Sequence, residues 1–360
     1  MRETVPFLDK ELVRILWKEG LYRKLLNYVV TTVQYHRRST FAWGYPYELF
    51  IDTNSRCSLR CPFCAVGART YTKPMLDMPL ESFKKAIDEL GPYLLIASLH
   101  ARGEPLMNKD IYEMIAYCNS YRIFTRISSN MQFLDEERAE KMVKSGLNVL
   151  MASIDGASQE SYETYRRGGR LDLALENVRH VVEAKKRLKR KNPIVEWKFI
   201  VFSHNEHEIE TAKRMAADLG VDRLSFTSAV VGDAPLKPEQ EKWLPMNKEY
   251  RMYAAGGANL EKGVTVRELT AACNLPWMSL TIDPESNVQT CCRPIHAKHD
   301  HGRISRGFFW KVWNGKRYRD SRNYITNSCS EEGDPTNLCS KCPVKSSMNT
   351  FIPFDFYRSI

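Results

Sequence analysis

The sequence predicts an α/β protein: a parallel sheet built from six strand–helix units, followed by a smaller segment organised around cysteines. Three observations predict it. From about residue 46 to 232, β-rich apolar runs alternate with helical patterns, the alternation that calls for a parallel sheet with right-handed crossovers. After Gly232 the rhythm lapses into a stretch rich in Pro, Lys and Glu, DAPLKPEQEKWLPMNKEY, which reads as a boundary. Nine of the ten cysteines fall into two groups, Cys57, Cys61 and Cys64 early, and Cys273, Cys291, Cys292, Cys329, Cys339 and Cys342 late.

Taken in order, residues 9–36 carry Leu12, Ile15, Leu16, Leu25, Leu26, Val29 and Val30 at helical spacing among Lys and Arg, and predict a helix packed on the main domain. Strands follow at 48–54, 94–101, 123–129, 148–155, 195–202 and 223–230. Helical patterns such as PLESFKKAIDELG and LDLALENVRHVVEAKK separate them. The run Lys185 to Lys191 (KKRLKRK) reads as the solvated end of a helix. The resulting organisation is an N-terminal helical extension (1–45), the strand–helix region (46–232), a linker (233–272), a cysteine-bearing domain (273–345) and a tail (346–360).

Composition limits the function. The 360 residues are 43% hydrophobic and 27% charged, an ordinary globular balance. No apolar run approaches the roughly 20 residues that span a bilayer. The opening MRETVPFLDKELVR places acidic residues where a signal peptide needs an apolar stretch, so a cytoplasmic location is expected. The formal charge of +10 points to an anionic partner. Cytosolic thiols stay reduced, so clustered cysteines there favour metal or catalysis over disulfides.

Cys57-x3-Cys61-x2-Cys64 follows the first strand directly. Three thiolates on one short loop can hold three irons of a [4Fe–4S] cluster and leave the fourth open to a chelating ligand. A zinc site wants four ligands, and no fourth Cys or His lies nearby. In the late group, Cys273-x17-Cys291 and Cys339-x2-Cys342 supply four thiolates, which suit either a fully ligated [4Fe–4S] cluster or a structural zinc. Cys118 lies within a helical pattern and reads as core. His296, His299 and His301 (HAKHDHG) read as a polar turn rather than a metal site.

On these residues the chain resembles the radical S-adenosylmethionine (SAM) superfamily, whose signature is C-x3-C-x-aromatic-C, with Phe63 in the aromatic place. Gly103-Glu104-Pro105 after the second strand looks like the family's GEP motif, in which the acidic residue binds the SAM amino group. Ser128, Ser129 and Asn130 end the third strand, where related enzymes contact the ribose or methionine portion. SIDGASQESYETYRRGG (153–169) matches the pattern after the fourth strand and implies that Ser153 and Arg166 lie near the methionyl carboxylate. The resemblance implies a partial (β/α)6 barrel over 46–232, with SAM cleaved to methionine and a 5′-deoxyadenosyl radical that abstracts a substrate hydrogen.

The late region, including FFWKVWNGKRYRDSR (308–322), is similar to the SPASM iron–sulfur extension and more closely to its shortened "twitch" form. That implies one auxiliary [4Fe–4S] cluster on Cys273, Cys291, Cys339 and Cys342, with Cys292 and Cys329 as substitutes. The family usually has Gly five residues before the second of these cysteines; this chain has Ser286. Cys329 is the candidate hydrogen donor for an epimerisation, and His100 a candidate general base. The leading expectation is an oxidoreductase acting on a small, polar, anionic substrate (a sugar, cyclitol or nucleotide derivative) by dehydrogenation or epimerisation. A flavodoxin- or ferredoxin-like protein would supply its electrons. The alternatives are modification of a peptide or protein side chain, and a non-catalytic cluster protein that binds nucleic acid.

Overall fold

The computed structural model describes residues 9–229, 238–250, 273–291, 296–304, 307, 309–327 and 338–341. Most of the expected linker, together with Cys292, Cys329 and Cys342, lies outside the described residues.

The six expected strands form: β1 (Glu48–Ile51), β2 (Ile96–Ser98), β3 (Phe124–Ser129), β4 (Val149–Ser153), β5 (Ile194–Val201) and β6 (Arg223–Ser228). Each pairs in parallel with the next in sequence. Between them lie α3 (Leu80–Leu90), α4 (Ile111–Ser120), α5 (Glu136–Lys144), α6 (Gln159–Tyr165), α7 (Leu171–Arg187) and α8 (Ile209–Leu219), preceded by α1 (Lys10–Lys18) and α2 (Tyr22–His36). The helices cover the outer face. Phe83, Ala86, Ile87 and Leu90 of α3, spaced i, i+3, i+4 and i+7, are buried against the sheet. Along β5 the burial alternates: Val195, Trp197, Phe199 and Val201 point into that core, while Glu196, Lys198 and Ile200 occupy the other face.

The late segment does not form a separate sheet. β7 (Ser279–Ile282) pairs in parallel with β1, and β8 (Asn287–Gln289) and β9 (Gly302–Arg303) continue antiparallel. The order β6-β5-β4-β3-β2-β1-β7-β8-β9 leaves β6 and β9 as edges, so the sheet does not close. The face away from the helices carries a polar layer. Arg126 donates to Ser98 Oγ at 2.6 Å and to Glu48 Oε1 at 2.5 Å, and Ser225 donates to Glu196 at 2.5 Å. A closed eight-stranded barrel would fill this space with branched apolar layers. Here it is left for ligands.

The single helix expected over 9–36 is two. Gly20 takes φ +68°, a backbone open to glycine, and the chain turns between α1 and α2. Asp9 caps α1 by accepting from the Glu11 and Leu12 amides. The inward side of α2 is polar as well as apolar: buried Lys24 donates to the carbonyls of Leu94 (2.6 Å), Tyr121 (2.7 Å) and Arg122 (3.0 Å), which ties α2 to the N-terminal ends of β2 and β3. The basic run also departs from expectation at one residue. Lys185 is buried and pairs with Asp222 instead of reaching solvent.

Candidate functional site

Ligands of parallel α/β sheets gather beyond the carboxyl ends of the strands. A cavity of about 430 Å³ lies there, lined by Cys57, Cys61, Cys64, His100, Gly103, Glu104, Ser128, Asn130, Ser153 and Arg166 among others. With Ser129, eleven residues singled out from the sequence on five separate segments therefore share one space. Phe63 and Pro105 do not line it. Phe63 stacks behind the cysteine loop with Tyr165 (6.2 Å between centroids) and edge-on to Trp243 (5.1 Å). Pro105 opens the short helical turn whose first free amide, that of Leu106, is capped by Glu104 at 3.0 Å.

The loop that carries the three cysteines depends on close backbone contact. A Cβ on Gly67 would sit 2.5 Å from the Cys61 nitrogen, and one on Gly103 (φ +67°) would sit 2.4 Å from the Asn54 carbonyl. Cys57 Sγ accepts from the Leu59 amide (3.4 Å) and from Asn130 Nδ2 (3.5 Å), the N–H···S contacts that suit a thiolate ligand. Burial raises the Cys57 thiol and pushes Cys61 up to about 11, the latter partly offset by Arg166, so a metal must displace these protons on binding. The donor set fits an iron–sulfur cluster with an open iron.

Around these thiols the charges are fixed by partners. Glu104, buried, accepts from the Asn130 amide at 2.7 Å; burial raises its carboxyl against that bond. Arg166 donates from Nε to Asp155 at 2.5 Å. Burial acts to lower the guanidinium, but Asp155 and Cys61 outweigh it and hold it above its ordinary value. Ser128 and Ser153 share a hydrogen bond of 2.8 Å. His100 lies 3.3 Å from the Arg126 carbonyl through Nδ1, and burial, with Arg126 and Lys198 nearby, pushes it down to about 3. Its ring is neutral at physiological pH and offers a hydrogen bond more readily than it takes up a proton.

Sequence reasoning missed Arg102, Tyr165 and Lys198, which also line the cavity. The period-two alternation of VEWKFIVF already placed Lys198 on the face opposite Trp197, and register sets it beside Ser153. Arg102 begins a buried chain of polar groups. Its Nε donates to Asp52 at 2.7 Å and its Nη2 to Gln289 at 2.8 Å. Gln289 donates to Asp300 at 2.8 Å; Lys73 pairs with Asp300 at 2.7 Å and also with Asp283. The cysteine loop is thereby tied to the β7–β8 hairpin.

That hairpin carries the second thiol group. Cys273 precedes the short helix Leu275–Met278, Cys291 follows β8, and Cys339 lies in the turn Leu338–Lys341. Tyr318, fully buried, is within electrostatic reach of Cys291 and Cys339, and Cys273 and Cys339 pack in one apolar cluster with Trp277. Three described thiols from distant sequence thus surround one region, which fits an auxiliary cluster. Ser286, in the place where glycine is usual, adopts φ +67°, with Asp283 accepting from the Glu285 (3.0 Å) and Asn287 (2.8 Å) amides to hold the turn. His296 bonds Thr72 and His301 leans on the His299 carbonyl, so this triplet belongs to the loop's own hydrogen bonding. Cys118 is fully buried in α4.

Residues 51–215 match the radical SAM superfamily, and residues 273–343 match SPASM, an iron–sulfur cluster-binding domain. The chain is 21% identical over 195 residues to the PqqA peptide cyclase of Bradyrhizobium diazoefficiens, covering 53% of this chain and 49% of that protein. It spans about half the length of that relative and about a third of two others. It is 24% identical over 308 residues to the mycofactocin maturase MftC of Mycolicibacterium smegmatis, covering 79% and 72%. Among solved structures, SuiB of Streptococcus suis bound to S-adenosylmethionine superposes with a TM-score of 0.61 at 14% identity, over 91% of this chain and 82% of that one. SuiB has also been solved with its precursor peptide SuiA.

Proposed function

Because the chain belongs to the radical SAM superfamily and carries a SPASM iron–sulfur domain behind its SAM domain, we propose that it modifies a side chain of a peptide or protein by abstracting a hydrogen atom. The observation that carries this reading is the kind of protein it is similar to: one relative is a peptide cyclase, and the fold neighbour that covers 91% of this chain is also known with a precursor peptide. This departs from the first expectation of a small polar substrate.

When bound, the reduced cluster and SAM supply reductive carbon–sulfur cleavage and with it a hydrogen-abstracting radical. The protein's residues hold and shield that chemistry. Cys57, Cys61 and Cys64 would ligate three irons. Glu104 would accept from the SAM ammonium, its position set by the Asn130 and Leu106 amides that it already holds. Ser153 and Arg166 would bind the methionyl carboxylate, with Asp155 keeping Arg166 in place. Ser128 and Asn130 would contact the remainder of the cofactor, and the Phe63–Tyr165–Trp243 cluster would keep water from the back of the loop. Cys273, Cys291, Cys339 and Cys342 would hold the auxiliary cluster. Cys329 remains the candidate hydrogen donor if the outcome is epimerisation. A flavodoxin- or ferredoxin-type protein would deliver the electron.

A second reading, the small anionic substrate, is favoured by one feature. Lys198 lines the cavity, and its ammonium has no hydrogen bond or ion pair among the described residues, free to meet a phosphate or carboxylate. One experiment separates the two. The anaerobically reconstituted enzyme, with SAM and reductant, is offered short peptides encoded beside its gene and, separately, sugar phosphates and nucleotide sugars. The peptide reading expects 5′-deoxyadenosine to rise in step with a mass change in one peptide. Stimulation by a phosphorylated metabolite, with every peptide unchanged, would overturn it in favour of the second reading.

A further inference from the structure

Two guanidinium groups flank the auxiliary region, Arg322 buried and Arg38 half-buried, and among the described residues neither has a carboxylate beside it. Arg322, on the helix Lys316–Thr326, is fully buried between the rings of Trp313 and Tyr318, its Cζ 4.5 and 5.3 Å from their centroids. It donates only to neutral oxygens: the Pro276 carbonyl (2.9 Å), the Thr40 carbonyl (3.2 Å) and Asn314 Oδ1 (3.5 Å). Its Nη2 is buried with no acceptor among the described residues. Arg38, held at φ +52°, lies over Tyr35 (4.6 Å) and Trp277 (5.8 Å), and its Nη1 is likewise buried with no acceptor. Neither forms an ion pair among the described residues.

Taking a cation out of water without a counter-charge is among the costlier acts in a protein interior. Burial accordingly pushes Arg322 down to about 9. Among the described residues, the rings that these two groups cover adjoin the late thiols: Trp277, under Arg38, packs in one cluster with Cys273 and Cys339. Tyr318, one helical turn from Arg322, is within electrostatic reach of Cys291 and Cys339. The Pro276 carbonyl that Arg322 holds lies just after Cys273. Tyr35, which Arg38 covers, is within reach of Cys273. A cluster held by thiolates is net negative and becomes more so on reduction, and buried cations beside it stabilise the reduced form.

We propose that Arg38 and Arg322 are the counter-charges of the auxiliary cluster, with their unpartnered guanidinium N–H groups directed toward it, and that they hold its reduction potential up. They are positioning residues, since neither ligates iron. The inference does not depend on the substrate, and its test needs neither SAM nor peptide.

The test uses full-length protein carrying Cys57→Ala, Cys61→Ala and Cys64→Ala, so that only the auxiliary cluster gives a signal. Iron and sulfide are counted, and the midpoint potential is read by redox titration followed by electron paramagnetic resonance. Arg322→Gln is expected to keep its iron and to shift the oxidised-to-reduced ratio at fixed potential at least tenfold toward oxidised, about 59 mV for one electron. Arg38→Gln is expected to shift it the same way by less, because that side chain is partly exposed. Arg322→Lys keeps the charge and should stay closer to wild type than Arg322→Gln. An Arg322→Gln protein with full iron and an unmoved midpoint would overturn the proposal. So would a shift in Arg322→Lys as large as that in Arg322→Gln. If Arg322→Gln fails to retain iron, Arg38→Gln decides: an unmoved midpoint there overturns the proposal, and a negative shift upholds it.

Discussion

Lys73 is the residue whose loss should separate the two halves of the site. Its ammonium, 2% exposed, pairs with Asp283 (1% exposed) and Asp300 (14% exposed), and so joins the cysteine loop to the β7–β8 hairpin. Replacing it by Met leaves two carboxylates facing a site from which water is largely excluded. Removing one partner of a buried pair costs about 3–5 kcal/mol, because the other charge is left uncompensated. Adding Asp300→Asn to Lys73→Met removes one of the orphaned charges and should recover part of the loss. Lys141→Met is the control: its partner is Glu137, both side chains are more than half exposed, and pairs of that kind are worth about 1 kcal/mol or less. The assay is urea denaturation of the reconstituted protein followed by circular dichroism, with iron counted in each sample. Lys73→Met should also hold less auxiliary iron, since the hairpin flanked by Cys273 and Cys291 loses its tether. A Lys73→Met protein within 1 kcal/mol of wild type, no better when Asp300→Asn is added, would refute the reasoning.

Three further outcomes follow from local geometry. Gly103→Ala places a Cβ 2.4 Å from the Asn54 carbonyl at a φ of +67°, so the strand that leads to Cys57 must move; SAM affinity measured by equilibrium binding should fall at least tenfold. Ser286→Gly relieves a left-handed conformation that costs a serine about 1–2 kcal/mol, partly offset by glycine's greater unfolded freedom, so a denaturation midpoint should rise by up to about 1 kcal/mol in equivalent stability. His100 titrates at about 3 when folded against about 6.5 when unfolded, so the unfolded chain binds more protons between those values. Stability is therefore lost as pH falls through that window, and His100→Gln should show a shallower acid slope in pH-dependent melting.

Much of the fold was legible because strands and helices here are specified locally. The runs around β1 to β6 differ from the structure only in their ends, and the cysteine loop, Glu104 and Arg166 each sit in a short motif at a strand end. What the sequence hid was non-local. Lys73 is more than two hundred residues from both Asp283 and Asp300, and no periodicity links a lysine in a loop to carboxylates in a hairpin. Lys198 could have been read from alternation alone, but not its place beside Ser153, which depends on strand register. The helix expected over 9–36 divides at Gly20, where a left-handed φ turns the chain between α1 and α2. At Ser286 the departure from glycine was visible, whereas its remedy, the Asp283 side chain capping the turn, needed the hairpin's geometry.

Two iron–sulfur clusters on separate cysteine groups and SAM cleavage at one of them together define this enzyme's chemistry. It is tested most directly by counting iron and sulfide after anaerobic reconstitution while following 5′-deoxyadenosine release under reduction in the same samples. About eight irons per chain with release of 5′-deoxyadenosine are expected, and about four irons with none when Cys57, Cys61 and Cys64 are replaced by Ala. A protein with its full complement of iron that leaves SAM intact under strong reduction would contradict that expectation.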